Sequence, residues 1–221
     1  YPKATPAESD EFDSVDLGLQ WQWHGNPNAL WYFCDAASSK LRLFSHCTPG
    51  MKSLYDVPNL LLQKFPAENF TATTQVKLAP RKNKGKTVEG ERGGLVIMGL
   101  DYAVLALESR ADGIYLVQAV CPKADKGGVE KENASIKLDG NELYLRVKVK
   151  QTTKNPTQKP DYNCECTFYY SLDGKKFSPI GEKFTAKVGQ WIGAKVGLFC
   201  TRPWTSNDSG WLESDWFRIT K

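Results

Sequence analysis

From residue 143 to 150 the chain alternates without a fault: Leu143, Leu145, Val147 and Val149 are apolar, while Tyr144, Arg146, Lys148 and Lys150 carry polar groups. A helix turns about 100° per residue and would spread those apolar side chains around its circumference; a strand sends successive side chains to opposite faces. The segment predicts an antiparallel strand with one face in a core and the other wet. The same period recurs where Phe70, Ala72, Thr74, Val76 and Leu78 oppose Thr71, Thr73, Gln75 and Lys77, and where Cys164, Cys166, Phe168, Tyr170 and Leu172 oppose Glu165, Thr167, Tyr169 and Ser171. Further strands are predicted at 30–34, 40–44, 60–65 and 114–120, with turn signals at Ala36-Ala37-Ser38-Ser39, Asp112-Gly113, Asp139-Gly140-Asn141 and Asp173-Gly174. Residues 94–100 and 102–108 are more continuously apolar, as central strands covered on both faces or lining a closed groove would be. A strand loosened by glycines is predicted over 189–199. The fold class expected is all-β, a two-sheet antiparallel β-sandwich of the jelly-roll kind.

At 221 residues and 41% hydrophobic content, the chain suits one large sandwich better than two domains. Its 29 basic and 25 acidic residues are thinly spread, which excludes a nucleic-acid signature. No run of about 18 apolar residues points to a membrane helix. The opening Tyr1-Pro2-Lys3-Ala4-Thr5-Pro6 is neither a signal peptide nor a helix. Residues 1–9 are expected to be a linker and 10–221 a single domain cut from a longer protein, with any targeting signal upstream. Residues 152–161 are expected to be a loop, and the basic stretch 81–86 a solvated hairpin tip. The six cysteines match no zinc spacing and leave buried free thiols and one or two disulfides as alternatives.

Residues 19–28, Leu-Gln-Trp-Gln-Trp-His-Gly-Asn-Pro-Asn, concentrate aromatic and hydrogen-bonding groups before a turn. Alternation puts Leu19, Trp21 and Trp23 on one side and Gln20, Gln22 and His24 on the other. Such a strand is either core with a polar outer face, or a sugar site in which indoles take the C–H face of a ring and the polar groups take its hydroxyls.

That stretch, together with Asn59-Leu60-Leu61-Leu62-Gln63, Glu91-Arg92-Gly93-Gly94-Leu95-Val96 and the closing Asp215-Trp216-Phe217, resembles the C-terminal concanavalin A/laminin G-like β-sandwich of family 43 glycoside hydrolases. These are β-xylosidases and arabinofuranosidases, and the appended domain is also classed as carbohydrate-binding module family 91. The likeness runs in order from about Asp10 to Lys221. It implies a non-catalytic module of a xylan- or arabinoxylan-degrading enzyme, following an N-terminal propeller that carries the catalytic acids, in a secreted, periplasmic or cell-surface protein. The module would bind xylan-type chains or complete the cleft of that propeller. Candidate sugar contacts are Trp21, Trp23, His24, Trp191, Trp204 and Trp211. In some relatives an aromatic on the sandwich closes the active-site pocket; it precedes a Thr-Gly-Ala-Phe-Val-Gly-like strand. The matching position is Trp191 before Ile192-Gly193-Ala194-Lys195-Val196-Gly197, with Ile and Lys in place of Thr and Phe. A core tryptophan at the head of a strand is the alternative there.

Asp215 shares parity with Phe217 and Ile219, so its carboxylate is expected on the core face, where it needs an Arg, backbone N–H groups or a cation. The resemblance implies a structural Ca²⁺ with Asp215 as a ligand and Glu11 or Asp13 completing it from the other chain end. Two further readings stand beside the sugar-cleft module. One is a structural or dimer-forming domain without sugar binding. The other is a family 16-type glucanase, which needs a Glu-x-Asp-x-x-Glu strand that this chain lacks. Neither His24 nor His46 lies in a nucleophile motif. The chain alone is therefore not expected to be an enzyme.

Overall fold

The computed structural model describes residues 7–152, 163–189 and 191–221; most of the expected linker, the expected loop from 153 onward and Gln190 lie outside the described residues. In chain order the strands are β1 (Gln22–Trp23), β2 (Tyr32–Asp35), β3 (Lys40–Phe44), β4 (Leu61–Lys64), β5 (Asn69–Ala79), β6 (Lys82–Asn83), β7 (Lys86–Thr87) and β8 (Arg92–Met98). They continue with β9 (Tyr102–Arg110), β10 (Gly113–Cys121), β11 (Lys131–Leu138), β12 (Glu142–Gln151), β13 (Cys164–Ser171), β14 (Ser178–Pro179), β15 (Phe184–Ala186), β16 (Lys195–Thr201) and β17 (Trp211–Thr220). One sheet has the order β1-β4-β16-β8-β9-β10-β11 and the other β14-β13-β12-β5-β17-β3-β2, with β15 also pairing β13. Strands pair antiparallel throughout, as in β12 against β5, where Leu145 faces Thr74 and Val147 faces Ala72. The basic stretch is a small hairpin, β6 against β7.

The inward faces of both sheets make the main core, from Leu41 and Leu43 through Val76, Leu145 and Phe168 to Phe217. The two-faced apolar strands have a plain cause. In β8 and β9, Leu95, Ile97, Leu105 and Leu107 enter that core, while Val96, Met98, Val104 and Ala106 enter a second one on the outer face. Short 3-10 turns at Leu54–Asp56 and Ala124–Lys126 roof this second core with Leu54 and Ala124. The first sheet is thus buried on both sides, and what stands open on its outer face stands out.

The chain ends meet, as the last strand required: Asp10 N donates to Phe217 O at 2.8 Å and Phe217 N to Asp10 O at 2.7 Å. Ser9 and Glu8 already touch the sandwich, through Ile219 N on Ser9 Oγ at 2.9 Å and Gln63 Nε2 on Glu8 O at 3.0 Å. At the opposite rim, Glu91 is fully buried and takes three short hydrogen bonds, from Ser45 Oγ at 2.5 Å, Gly210 N at 2.7 Å and Arg81 N at 2.5 Å. It ties three loops together.

Four local expectations need correction. Alternation does not reach back to Leu19: Trp21 N donates to Gly18 O at 3.1 Å, which closes a turn over Leu19 and Gln20 and leaves Leu19 94% exposed. The predicted 189–199 strand begins only at Lys195; ahead of it Gly189 N donates to Ile192 O at 2.7 Å, and Trp191 and Ile192 form a bend. The parity of β17 breaks at Asp215, the extra residue of a bulge between Ser214 and Trp216, so its carboxylate leaves the core face. Strand β11 was not expected; it is an edge strand with mostly half-exposed or exposed side chains, so its sequence shows no clean period. All six cysteines are unpaired, which resolves the thiol alternatives. Burial pushes the Cys34 thiol up to about 11, and Cys166 and Cys200 higher still.

Candidate functional site

The three carboxylates expected to hold Ca²⁺ are directed elsewhere. Asp215 receives Lys40 Nζ at 2.5 Å, Glu11 is gripped by the Arg218 guanidinium at 2.8 and 2.7 Å, and Asp13 is exposed. The cation needed beside Asp215 is therefore a lysine of β3. Among the described residues no three His, Cys, Asp or Glu side chains gather closely enough for a metal. Asp215, Glu11 and Asp13 do not form the set of about six to eight oxygens that Ca²⁺ takes.

The candidate tryptophans fall into three environments. Trp21 is enclosed between Phe12 and Phe217, with ring centroids 6.1 and 5.1 Å away, and its Nε1 donates to Asp10 Oδ2 at 2.8 Å. At 9% exposure it is a core residue, and only its edge reaches the surface, at a concavity beside the chain's entry. Trp23 packs half-buried against Trp31 and Tyr32. Trp204 and Trp211 belong to the opposite rim, where arginines cover them: Arg202 and Arg81 lie over Trp204 and Arg42 over Trp211. Trp204 Nε1 also donates to Glu89 O at 2.9 Å, so that ring is part of the loop's own framework.

Trp191 differs from all of these. It stands at the tip of that bend, 89% exposed, with Val188 and Ile192 exposed beside it. The loop that carries it is anchored at both ends. Lys187 Nζ bonds the buried Asp101 carboxylate at 2.8 Å, which also accepts Lys123 N at 2.7 Å, and Phe65 N donates to Ala194 O at 3.1 Å. Gly99 lies against the Lys187 carbonyl so closely that a Cβ there would displace the loop. A large apolar ring is thus held out in solvent by a fixed support.

Beneath it lies a cavity of about 260 Å³ lined by Trp191, Ile192, Met98, Lys195, His24 and Tyr55 with glycines 99, 189 and 193. The first sheet's outer face supplies its floor. Lys195 begins β16 between Lys64 of β4 and Met98 of β8 and is only 7% exposed. His24 follows β1, its Nε2 within 3.0 Å of Tyr55 O and its ring edge-on to the Tyr55 ring. Burial holds the His24 pKa below the ordinary imidazole value, opposed by the Tyr55 carbonyl, with repulsion from Lys195 adding to the fall. The neutral ring donates through Nε2 and leaves Nδ1 an acceptor without a partner. Burial likewise lowers the Lys195 pKa, with repulsion from Lys64 adding to the fall. Sequence reasoning placed His24 and Trp191 in the candidate set and missed Lys195; the available signal was a lone charge among the apolar residues of β16.

A neighbouring concavity of about 460 Å³ is lined by Leu19, Gln20, Trp21, Gln22, Lys64 and Phe65 with the incoming Ala7 and Glu8. Lys64 pairs with Lys195, so the two openings share one corner of the molecule.

The sequence pattern of the Beta xylosidase C-terminal Concanavalin A-like domain matches residues 9–220. The chain belongs to that family. It is the C-terminal domain of β-xylosidase-like enzymes of glycoside hydrolase family 43. It is 26% identical over 236 residues to a β-xylosidase of Formosa agariphila, covering 98% of this chain and 36% of that protein. It is 30% identical over 194 residues to a putative β-xylosidase of Xylanibacter ruminicola, covering 86% and 30%. The chain thus spans about a third of the length of these curated relatives. Among solved structures, this family 43 domain shares its fold with the GH43 protein BlXynB of Bacillus licheniformis, with a TM-score of 0.73 at 19% identity, covering 99% of this chain and 40% of that one. The xylan β-1,4-xylosidase of Bacillus halodurans gives 0.75 at 19% identity, covering 100% and 40%.

Proposed function

We propose that this domain is the accessory sandwich of a xylan- or arabinoxylan-degrading enzyme and that its 187–194 loop completes the cleft of the catalytic domain that precedes it. The observation that carries this reading is Trp191, fully presented on a doubly anchored loop with two more exposed apolar residues at its base. Scattered surface apolar residues are ordinary; a supported aromatic tip with apolar flanks is a contact surface. Leu19 extends the same corner, and the chain enters there at Ala7 and Glu8, where a preceding domain would be joined. The position also matches the aromatic that closes the pocket in family relatives.

The chemistry stays with the other domain. Of the acids in Glu89-Gly90-Glu91 and Glu213-Ser214-Asp215, the stretches nearest to a hydrolase motif, Glu91 is held by its three donors, Glu213 by Lys40 and Arg42 and Asp215 by Lys40, while Glu89 is exposed. Binding of free neutral xylan chains, the finer claim of a carbohydrate-binding module, is secondary in this reading, since Trp21 is enclosed and Trp204 serves its own loop.

The test is Ile192→Glu in the enzyme that joins this chain to its catalytic domain. A charge at the base of the tip is expected to raise KM for xylo-oligosaccharides roughly tenfold, while the melting temperature of this chain by itself moves by no more than about 1 °C. Unchanged kinetics would mean that the loop stays in solvent, and the domain would then be a structural appendage.

A further inference from the structure

Lys195 is a largely buried side chain that lines the cavity beneath Trp191 and has no carboxylate partner among the described residues. Its neighbours across the sheet are Lys64 and Met98, and the Asp101 carboxylate that anchors the loop is held by Lys187 Nζ and Lys123 N. An ammonium on the wall of a largely apolar cavity, with no carboxylate of its own, is free to take a counter-charge from outside. Beside it His24 Nδ1 is buried and without a partner, although the same ring spends Nε2 on Tyr55 O. Two unmet polar demands, one for an anion and one for a hydroxyl donor, therefore meet in a single cavity. The remaining walls are apolar or aromatic, with Trp191, Ile192 and Met98 on one side.

The size limits the occupant. A cavity of about 260 Å³ falls below the roughly 300–1,000 Å³ of drug-sized sites and suits one ring. A neutral pentose would stack on the indole but leave Lys195 unpaired. An inorganic anion would pair with Lys195 but leave the aromatic wall unused. A sugar acid meets all three demands, with carboxylate, hydroxyls and a C–H face on one ring.

We propose that this cavity is a subsite for a hexuronate ring carried as a branch on the polysaccharide, its carboxylate on Lys195 Nζ, a hydroxyl donating to His24 Nδ1 and its C–H face against Trp191. The site makes the domain a reader of acidic branches at the cleft edge. It rests on the cleft reading only for the identity of the chain that bears the branch; every contact named lies within this domain.

The experiment is titration of this chain with aldotetraouronic acid, a xylotriose carrying one methylglucuronate, beside neutral xylotetraose, at low salt and in 0.5 M NaCl. The acidic ligand is expected to bind at least tenfold more tightly at low salt, as one charge-assisted contact provides. Lys195→Met should reduce it to the neutral level and Lys195→Arg should keep most of the preference. Lys195→Met keeps the apolar stem of a side chain that pairs with no acid, so the fold is expected to be kept, with near-ultraviolet circular dichroism as the check. Trp191→Ala lies on an exposed tip and gives a second variant, expected to weaken both ligands. Equal affinity for the two sugars, or a preference that survives Lys195→Met, overturns the proposal. So does the absence of uronate binding with Lys195→Met instead loosening the joined enzyme, because Lys195 would then pair with an acid of the catalytic domain. That last result would leave the cleft reading standing, whereas Ile192→Glu without kinetic effect would remove the cleft reading and leave this titration valid.

Discussion

Glu91→Ala is expected to destabilise the domain by about 4 kcal/mol, the largest loss available from a single truncation on the polar framework. The carboxylate is fully buried and each of its bonds serves a different segment: Ser45 after β3, Gly210 before β17 and Arg81 between β5 and β6. Alanine leaves two backbone N–H groups and one hydroxyl without an acceptor in a dry site. Gly210 packs so tightly that a Cβ there would meet the Glu91 carboxylate and the Ala79 carbonyl, which leaves little room for water to replace the lost oxygens. For a chain of this size that loss corresponds to a fall of roughly 8–16 °C in melting temperature. Glu91→Gln keeps one acceptor oxygen and turns an NH₂ toward a donor, so it should cost about half as much. Chemical denaturation of the three proteins measures the series. By contrast, the exposed Glu11–Arg218 pair is screened by water and should be worth no more than about 1 kcal/mol. A loss below about 1 kcal/mol for Glu91→Ala would contradict the bonding described.

Trp191→Ala is expected to act in the opposite way, leaving the domain intact and harming the enzyme that contains it. The side chain is almost wholly in solvent, so its removal should change this chain's stability by less than about 0.5 kcal/mol. If the loop completes the cleft as proposed, the ring is covered in the joined enzyme, and truncating such aromatic anchors costs about 2–3 kcal/mol. If that energy is used in positioning the substrate, kcat/KM on xylo-oligosaccharides falls roughly 30- to 150-fold. Trp191→Phe should restore much of it, because a smaller ring still fills part of the contact. Kinetics of the three joined enzymes, with melting curves of the three domains beside them, separate this outcome from a folding defect. A fall in domain stability that parallels the fall in activity would contradict the account.

Much of the sandwich was legible because its strands have one wet face: β5 and β12 lie where their period of two puts them, and β13 does so from Cys164 to Tyr170, whereas at its end Ser171 is buried and Leu172 is 71% exposed, against the period. The two-faced strands β8 and β9 were legible too, since residues facing a second core leave no polar positions. Edge strand β11 was not, because its half-exposed side chains impose no pattern. Parity failed at Asp215 for a different reason. A single bulged residue, held by Thr74 Oγ1 bonding Ser214 Oγ and Trp216 O at 2.8 Å each, reverses the phase of everything before it, and no local residue type announces that. At the candidate site, Trp191 was legible through the resemblance of the stretch after it to a family motif, although its segment was read as strand and the strand begins only at Lys195. Lys195 was not legible, since its significance lies in the absence of a carboxylate, which only the folded neighbourhood reveals.

The central claim is that the 187–194 loop meets the catalytic domain. Hydrogen exchange of this loop, in this chain alone and in the enzyme joined to its catalytic domain, tests it directly. The account predicts at least tenfold slower exchange across the loop in the joined enzyme, with the Glu91 rim unchanged between the two samples. Equal exchange of the loop in both samples would contradict it.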